Sequence, residues 1–358
     1  MYKGEFVMDK LTVLREQFEQ NNIDGFLITN SFNRRYITGF TGTTGVAIIS
    51  KECAKFITDF RYVEQAVNQV KGFQIIENRS TLQEVAKQAE KMGIERLGFE
   101  QEDLNYKQYK DLNNLVQKCI PVSGIIEGLR AVKTDNEVKK INTAANISDK
   151  AFEHILNFIR PGITEMEINH ELEHHMRKNG ATSSSFDIII ASGIRSALPH
   201  GVASNKKVEK GDMLTLDFGA YYEGYCSDMT RTIAVGEPND DLKQIYSIVY
   251  DALEIGINSI KAGSFCQAID KKVRDFITEK GFGKQFRHGT GHAIGLEVHE
   301  SPYFSVKSED VLKENMVMTV EPGIYLPGIG GVRIEDDILV KKNGSKVLTH
   351  ANKELIIL

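Results

Sequence analysis

The 358-residue sequence predicts an α+β protein of two domains, a smaller α/β domain over residues 1–128 and a larger pseudo-twofold domain over residues 129–358. Three observations carry that prediction. Short apolar runs alternate with amphipathic stretches up to about residue 122, an internal repeat without gaps fills much of the remainder, and that repeat sets four acidic residues in two matching pairs.

In the first domain the runs IDGFLIT (23–29), GVAIIS (45–50), CAKFITD (53–59), FQIIEN (73–78) and RLGFE (96–100) have strand length and composition. Helical stretches such as LQEVAKQAEKMG (82–93) separate them. The glycine-rich TGFTGTTG (38–45) matches neither a phosphate-binding loop nor a dinucleotide fingerprint and reads as a plain loop. A polar stretch, LRAVKTDNEV (129–138), divides the halves and opens a long helix near Asn136. Residues 1–7 fit no element and DKLTVLREQF begins the first helical pattern, which leaves both Met1 and Met8 open as the start.

In the second domain, residues 151–180 align with residues 252–281 at a constant shift of 101. Gly162 meets Gly263 and Gly180 meets Gly281, so both copies are punctuated alike. The second helix of each copy carries apolar residues four apart, Ile168, Leu172 and Met176 against Ile269, Val273 and Ile277. Thr164 with Glu167 fits a capping box. After each helical pair comes a histidine-bearing segment and a strand–loop–strand unit, which predicts a duplicated module.

Composition narrows the function. With 44 basic and 49 acidic side chains the formal charge is −5, so neither nucleic acid nor an anionic membrane has a basic surface to bind. No run of about 18 apolar residues and no signal-peptide pattern occurs, and a cytoplasmic protein is expected. The four cysteines are scattered, without CxxC pairing, which fits reduced thiols. A metal here must therefore be bound by His, Asp and Glu.

The duplicated units place Asp217 and Asp228 on adjacent strands in one copy, and Glu321 and Glu335 on adjacent strands in the other. Any one of these reads singly as a turn or edge residue. Superposed by the repeat, they put four carboxylates in one cavity, which demands a cationic counterpart. A pair of divalent ions meets that demand, with His292 in the glycine-rich RHGTGHAIGLEVHE (287–300) as the remaining ligand. One imidazole with four carboxylates suits manganese, cobalt or zinc. His200 in ALPHG and His299 stand at corresponding places in the two copies, and Arg333 lies two residues before Glu335 on what reads as the same strand. No HExxH, GxSxG or phosphate-loop motif offers a competing chemistry.

The segments LDFGAYYEGYCSDMTRT, HGTGHAIGLEVHE, TVEPGIY and GVRIEDD resemble the motifs of the proline-specific pita-bread metallopeptidases, the branch containing prolidase and aminopeptidase P. The first domain is similar to the creatinase-like N-terminal domain of that branch. The resemblance implies five ligand positions, Asp217, Asp228, His292, Glu321 and Glu335, with Asp228 and Glu335 bridging two ions, most often manganese, and Glu321 also moving a proton. It implies active-site roles for His200, His288, His299 and Arg333. The implied activity is hydrolysis of Xaa-Pro dipeptides or short peptides by a bridging hydroxide, as an Xaa-Pro dipeptidase in preference to an aminopeptidase P, in a cytoplasmic homodimer. Methionine aminopeptidase fits less well because of the long N-terminal region, and creatinase because it needs no metal. A non-catalytic binding protein on this fold fits less well because the ligand set is intact.

Overall fold

The computed structural model describes residues 10–358, so the choice between Met1 and Met8 lies outside the described residues. The chain divides into two compact units, one ending at Arg130 and the other spanning Ala131–Leu358.

The first unit runs α1 (Lys10–Glu16), β1 (Gly25–Ile28), α2 (Ser31–Thr38), β2 (Val46–Ser50), β3 (Ala54–Thr58), α3 (Val63–Gln69), β4 (Gln74–Glu77), α4 (Thr81–Lys91), β5 (Arg96–Glu100), α5 (Tyr106–Asn113), β6 (Lys118–Val122) and α6 (Ile125–Ala131). Its mixed sheet has the order β4-β3-β2-β1-β5-β6. Separate apolar clusters pack around Phe26, Phe40 and Phe56 and around Leu27, Ile57 and Leu97. Adjacent residues Phe26 and Leu27 fall in different clusters because side chains alternate across a strand. All five strands read from apolar runs are present. The sixth, β6, lacks that signature: it is an edge strand, where Pro121 and the exposed Lys118 are tolerated. The polar stretch 129–138 opens a long helix as expected, with that helix starting at Asp135 after its cap Thr134. Arg130 is buried and donates to the Asn33 side chain at 2.7 Å.

The second unit holds the duplication. Its first half runs α7 (Asp135–Ile155), α8 (Glu165–Lys178), β7 (Ser183–Ser184), β8 (Ile189–Ser192), β9 (Asp212–Phe218), β10 (Ala220–Tyr222), β11 (Tyr225–Cys226) and β12 (Met229–Val235). Its second half runs α9 (Asp240–Ser259), α10 (Cys266–Glu279), β13 (Gly291–Ala293), β14 (Glu300–Phe304), β15 (Val317–Val320), β16 (Gly323–Leu326), β17 (Gly330–Arg333), β18 (Asp336–Lys341) and β19 (Gly344–Val347). Helices α7 and α8 share one core with β8, β9 and β12, while α9 and α10 share another with β15 and β18. The repeat thus builds one core per half.

Its punctuation has a backbone cause. Gly162 and Gly263 sit at φ of 96° and 88°, and Gly180 and Gly281 at 106° and 92°. At Gly162, Gly263 and Gly281 an added Cβ would meet nothing within 4 Å, so glycine is kept there for its left-handed backbone rather than for space. Thr164 caps α8 as expected: its amide donates to the Glu167 carboxylate at 2.7 Å, and the Glu167 amide donates back to Oγ1 at 3.1 Å.

Strand ends differ from the sequence expectation. Asp217 lies within β9, opposite Thr230 of β12, but Asp228 immediately precedes β12, Glu321 immediately follows β15 and Glu335 immediately precedes β18. Arg333 and Glu335 do not share a strand. The chain leaves its pairing with β16 at Arg333 and joins β15 at Asp336, with fully buried Ile334 at the switch.

The duplication makes a quantitative prediction. Met176 and Ile277 are both fully buried at equivalent places in the two cores. Met176→Ala and Ile277→Ala should each cost about 2–5 kcal/mol in urea unfolding. A loss well under 1 kcal/mol at either site would contradict the paired-core architecture.

Candidate metal centre

Where β9, β12, β15 and β18 begin or end, their acidic residues line a cavity of about 660 Å³. Asp217, Asp228, His292, Glu321, Glu335, His200, His288, His299 and Arg333 all line it. The structure therefore brings every sequence-predicted site residue to one cavity, within the size range of small-molecule sites.

Asp228, His292 and Glu335 each offer one ligand atom, all within 4.8 Å of one another. The His292 Nδ1 lies 3.1 Å from the Ala293 carbonyl, which can only accept, so Nδ1 carries the hydrogen. Its Nε2 is left as a lone pair, 3.5 Å from Glu321 Oε1 and 3.8 Å from Asp228 Oδ2. Burial, with the nearby His299 adding to it, holds the His292 imidazole down at about 4, so near neutral pH it is not a cation. Acceptors thus face acceptors.

The carboxylates show the same shortfall of positive charge. Asp217 Oδ1, Asp228 Oδ1 and Glu335 Oε1 are buried with no hydrogen-bond donor. Burial first, then the neighbouring acids, pushes Asp228 and Glu335 well above the usual carboxylate range, and burial pushes Glu321 up to about 8. Arg333 is the cation that reaches the group. Burial opposes its charge, but Tyr325, Asp217, Glu321 and Glu335 outweigh that and raise it further. Its Nη2 donates to Asp217 Oδ2 at 2.5 Å, and its Nε to Thr230 Oγ1 at 3.1 Å. Thr230 in turn donates to Glu335 Oε2 at 2.6 Å. One guanidinium cannot neutralise four acids. The orphaned oxygens and the imidazole lone pair fit hard divalent cations, and they fit no apolar or anionic ligand.

Three histidine-bearing segments around the cavity are each held by a buried acid and a cation. Glu165 accepts from the Ser192 and Ser204 amides at 2.8 and 3.1 Å and from Arg195, bracketing the loop of His200. Asp270 accepts from the Thr290 amide at 3.0 Å and from Arg274, which donates to the His288 carbonyl at 2.8 Å. Glu300 pairs with Lys133 beside His299. Sequence reading missed these acids: Glu165 and Glu300 have partners far along the chain, and Asp270 with Arg274 four residues later reads as an ordinary helix-surface ion pair. It also missed Tyr325, whose hydroxyl accepts from Arg333 Nη1 at 2.9 Å and lies 3.0 Å from His288 Nε2. Its place in the quoted TVEPGIY was the available signal.

Residues 139–342 match metallopeptidase family M24, and residues 10–132 match the creatinase/prolidase N-terminal domain. A solved Xaa-Pro dipeptidase from Bacillus anthracis is 58% identical, with a TM-score of 0.96 over 98% of this chain and 99% of that one. The Xaa-Pro dipeptidase of Pyrococcus horikoshii is 41% identical over 98% of this chain and all of its own length. An X-Pro aminopeptidase structure from Thermotoga maritima is 40% identical, with a TM-score of 0.88 over 96% of this chain and all of that one. A duplicated helix-and-hairpin unit that concentrates buried acids around one imidazole, joined to these full-length likenesses, makes the chain a member of metallopeptidase family M24 with a creatinase/prolidase N-terminal domain.

Proposed function

We propose that the chain is a metal-dependent Xaa-Pro dipeptidase that hydrolyses the bond between a first residue and proline. The observation that carries the chemistry is the cavity in which the His292 lone pair faces Glu321 and Asp228 at 3.5 and 3.8 Å while three neighbouring carboxylate oxygens lack donors. The full-length likeness to two dipeptidases supports the substrate class over longer peptides.

Asp217, Asp228, His292, Glu321 and Glu335 would hold two divalent cations, manganese in preference to cobalt or zinc. When bound, such ions supply Lewis acidity toward a carbonyl and bring the pKa of water near 7. The remaining work falls to side chains. Cleavage next to the free N-terminus of the substrate, the exopeptidase part of this reading, rests on the family resemblance. Glu321 takes the proton of the attacking water and returns it to the proline nitrogen as the C–N bond breaks. That nitrogen carries no hydrogen in the peptide, so the delivered proton is what lets it leave as an amine. His299, exposed to the cavity, donates to the oxygen where negative charge develops. Arg333 and Tyr325 keep Asp217 and His288 in place. Homodimeric assembly and a cytoplasmic place belong to the same reading and rest on the family resemblance.

Relative rates on Xaa-Pro and Xaa-Pro-Yaa with manganese present test the substrate class. Dipeptide turnover should exceed tripeptide turnover by at least tenfold, and equal or faster tripeptide cleavage would overturn the dipeptidase reading.

The raised carboxyls also predict how the protein behaves once chelated. An acid whose folded pKa exceeds its unfolded value adds stability that is full below the unfolded value and is lost as pH rises through the folded one. For Glu321 that window runs from about 4.5 to about 8. Below about 6.5 the buried His288 and His292, both held down at about 4, act in the opposite sense, so the clean interval is pH 6.5–8. Chelator-treated protein should lose Tm across that interval, and manganese should restore more at pH 8 than at 6.5. A Tm that rises with pH in chelator would count against the site.

A further inference from the structure

Lys133 and Glu300 form an ion pair whose side chains are 2% and 5% exposed, with Nζ and Oε2 3.2 Å apart. A buried pair of this kind seldom repays its desolvation in stability alone, so its geometry asks for another purpose. The second oxygen, Oε1, accepts from the backbone amides of Leu296 and Glu297 at 2.9 and 3.2 Å. The carboxylate therefore closes the short loop 295–299 from its C-terminal end. Gly295 is shaped to this contact: a Cβ there would lie 2.7 Å from Glu300 Oε2 and 2.8 Å from Oε1. The Gly295 carbonyl accepts from the Cys226 amide at 2.8 Å, which ties the loop to the strand pair leading to Asp228. The Lys133 backbone is fixed as well, its amide donating to the Asn315 carbonyl at 2.9 Å.

What this clamp presents is His299. Its ring meets the His292 ring edge-on, with centroids 4.5 Å apart, at the wall of the metal-binding cavity. We propose that Lys133 and Glu300 are positioning residues for His299, the ammonium neutralising the carboxylate that fixes the loop so that the imidazole meets the reacting carbonyl. This inference rests on the role given to His299 above. Neither residue touches substrate or cation; both act through the loop.

The test uses full-length protein and the charge-balanced variant Lys133→Met/Glu300→Gln, which avoids leaving one buried charge alone. Lys133→Arg serves as the conservative control. Hydrogen exchange at the Leu296 and Glu297 amides should quicken at least tenfold in the double variant, with the α7 and β9 amides and the manganese content unchanged. In the loaded enzyme kcat on Xaa-Pro should fall about tenfold with little change in KM, and Lys133→Arg should recover most of it. In a His299→Ala background the same pair of substitutions should lower kcat no further. Unchanged exchange at both amides, or an undiminished further loss in the His299→Ala background, would overturn the proposal. Full activity of His299→Ala alone would overturn the role given to that histidine and the functional half of this inference, while the exchange result judges the clamp separately.

Discussion

The site in the second unit depends on one electrostatic constraint, the confinement of Asp217, Asp228, Glu321 and Glu335 in one cavity with the neutral His292 imidazole. Carboxylates withdrawn from water either take up protons or gather cations. Arg333 meets part of the need through Asp217, and Thr230 relays its contact to Glu335. The rest of the charge remains unmet by protein. Stability and metal affinity are therefore expected to be linked through the same oxygens: carboxyls raised by burial favour a protonated or a cation-bound site over a bare charged one.

The duplicated fold is the means of reaching that concentration without breaking either core. Each half closes its own apolar cluster beneath a pair of helices and brings its acids out at strand ends, where backbone pairing stops and side chains gain reach. Three of the four acids stand just outside their strands, yet their backbone amides stay fixed, Asp228 donating to the Asp337 carboxylate, Glu321 to the Thr290 carbonyl and Glu335 to the Thr230 carbonyl. The surrounding histidines come from loops instead. Buried acids at Glu165, Asp270 and Glu300 give those loops the fixity that regular pairing gives the acids.

The duplication was open to sequence reading because glycines held in left-handed backbone and four-residue apolar spacing recur at one constant shift. The acids were open to it because the repeat superposes them in pairs. Other features were hidden for physical reasons. Strand β6 carries a proline that an edge position permits, and no local pattern announces the burial of Arg130 against Asn33. Arg333 reads as a strand neighbour of Glu335, although the chain changes sheet between them. Lys133 and Glu300 are separated by 167 positions, and no local pattern joins them.

The central proposal is that Asp217, Asp228, His292, Glu321 and Glu335 would hold two divalent cations in one cavity. Anomalous diffraction at the manganese edge, from crystals grown with manganese, tests it most directly. The account predicts two peaks within coordination distance of Asp228 and Glu335, one beside Asp217 and the other beside His292. Crystals with no peak among these residues, or with manganese bound elsewhere on the chain, would contradict it.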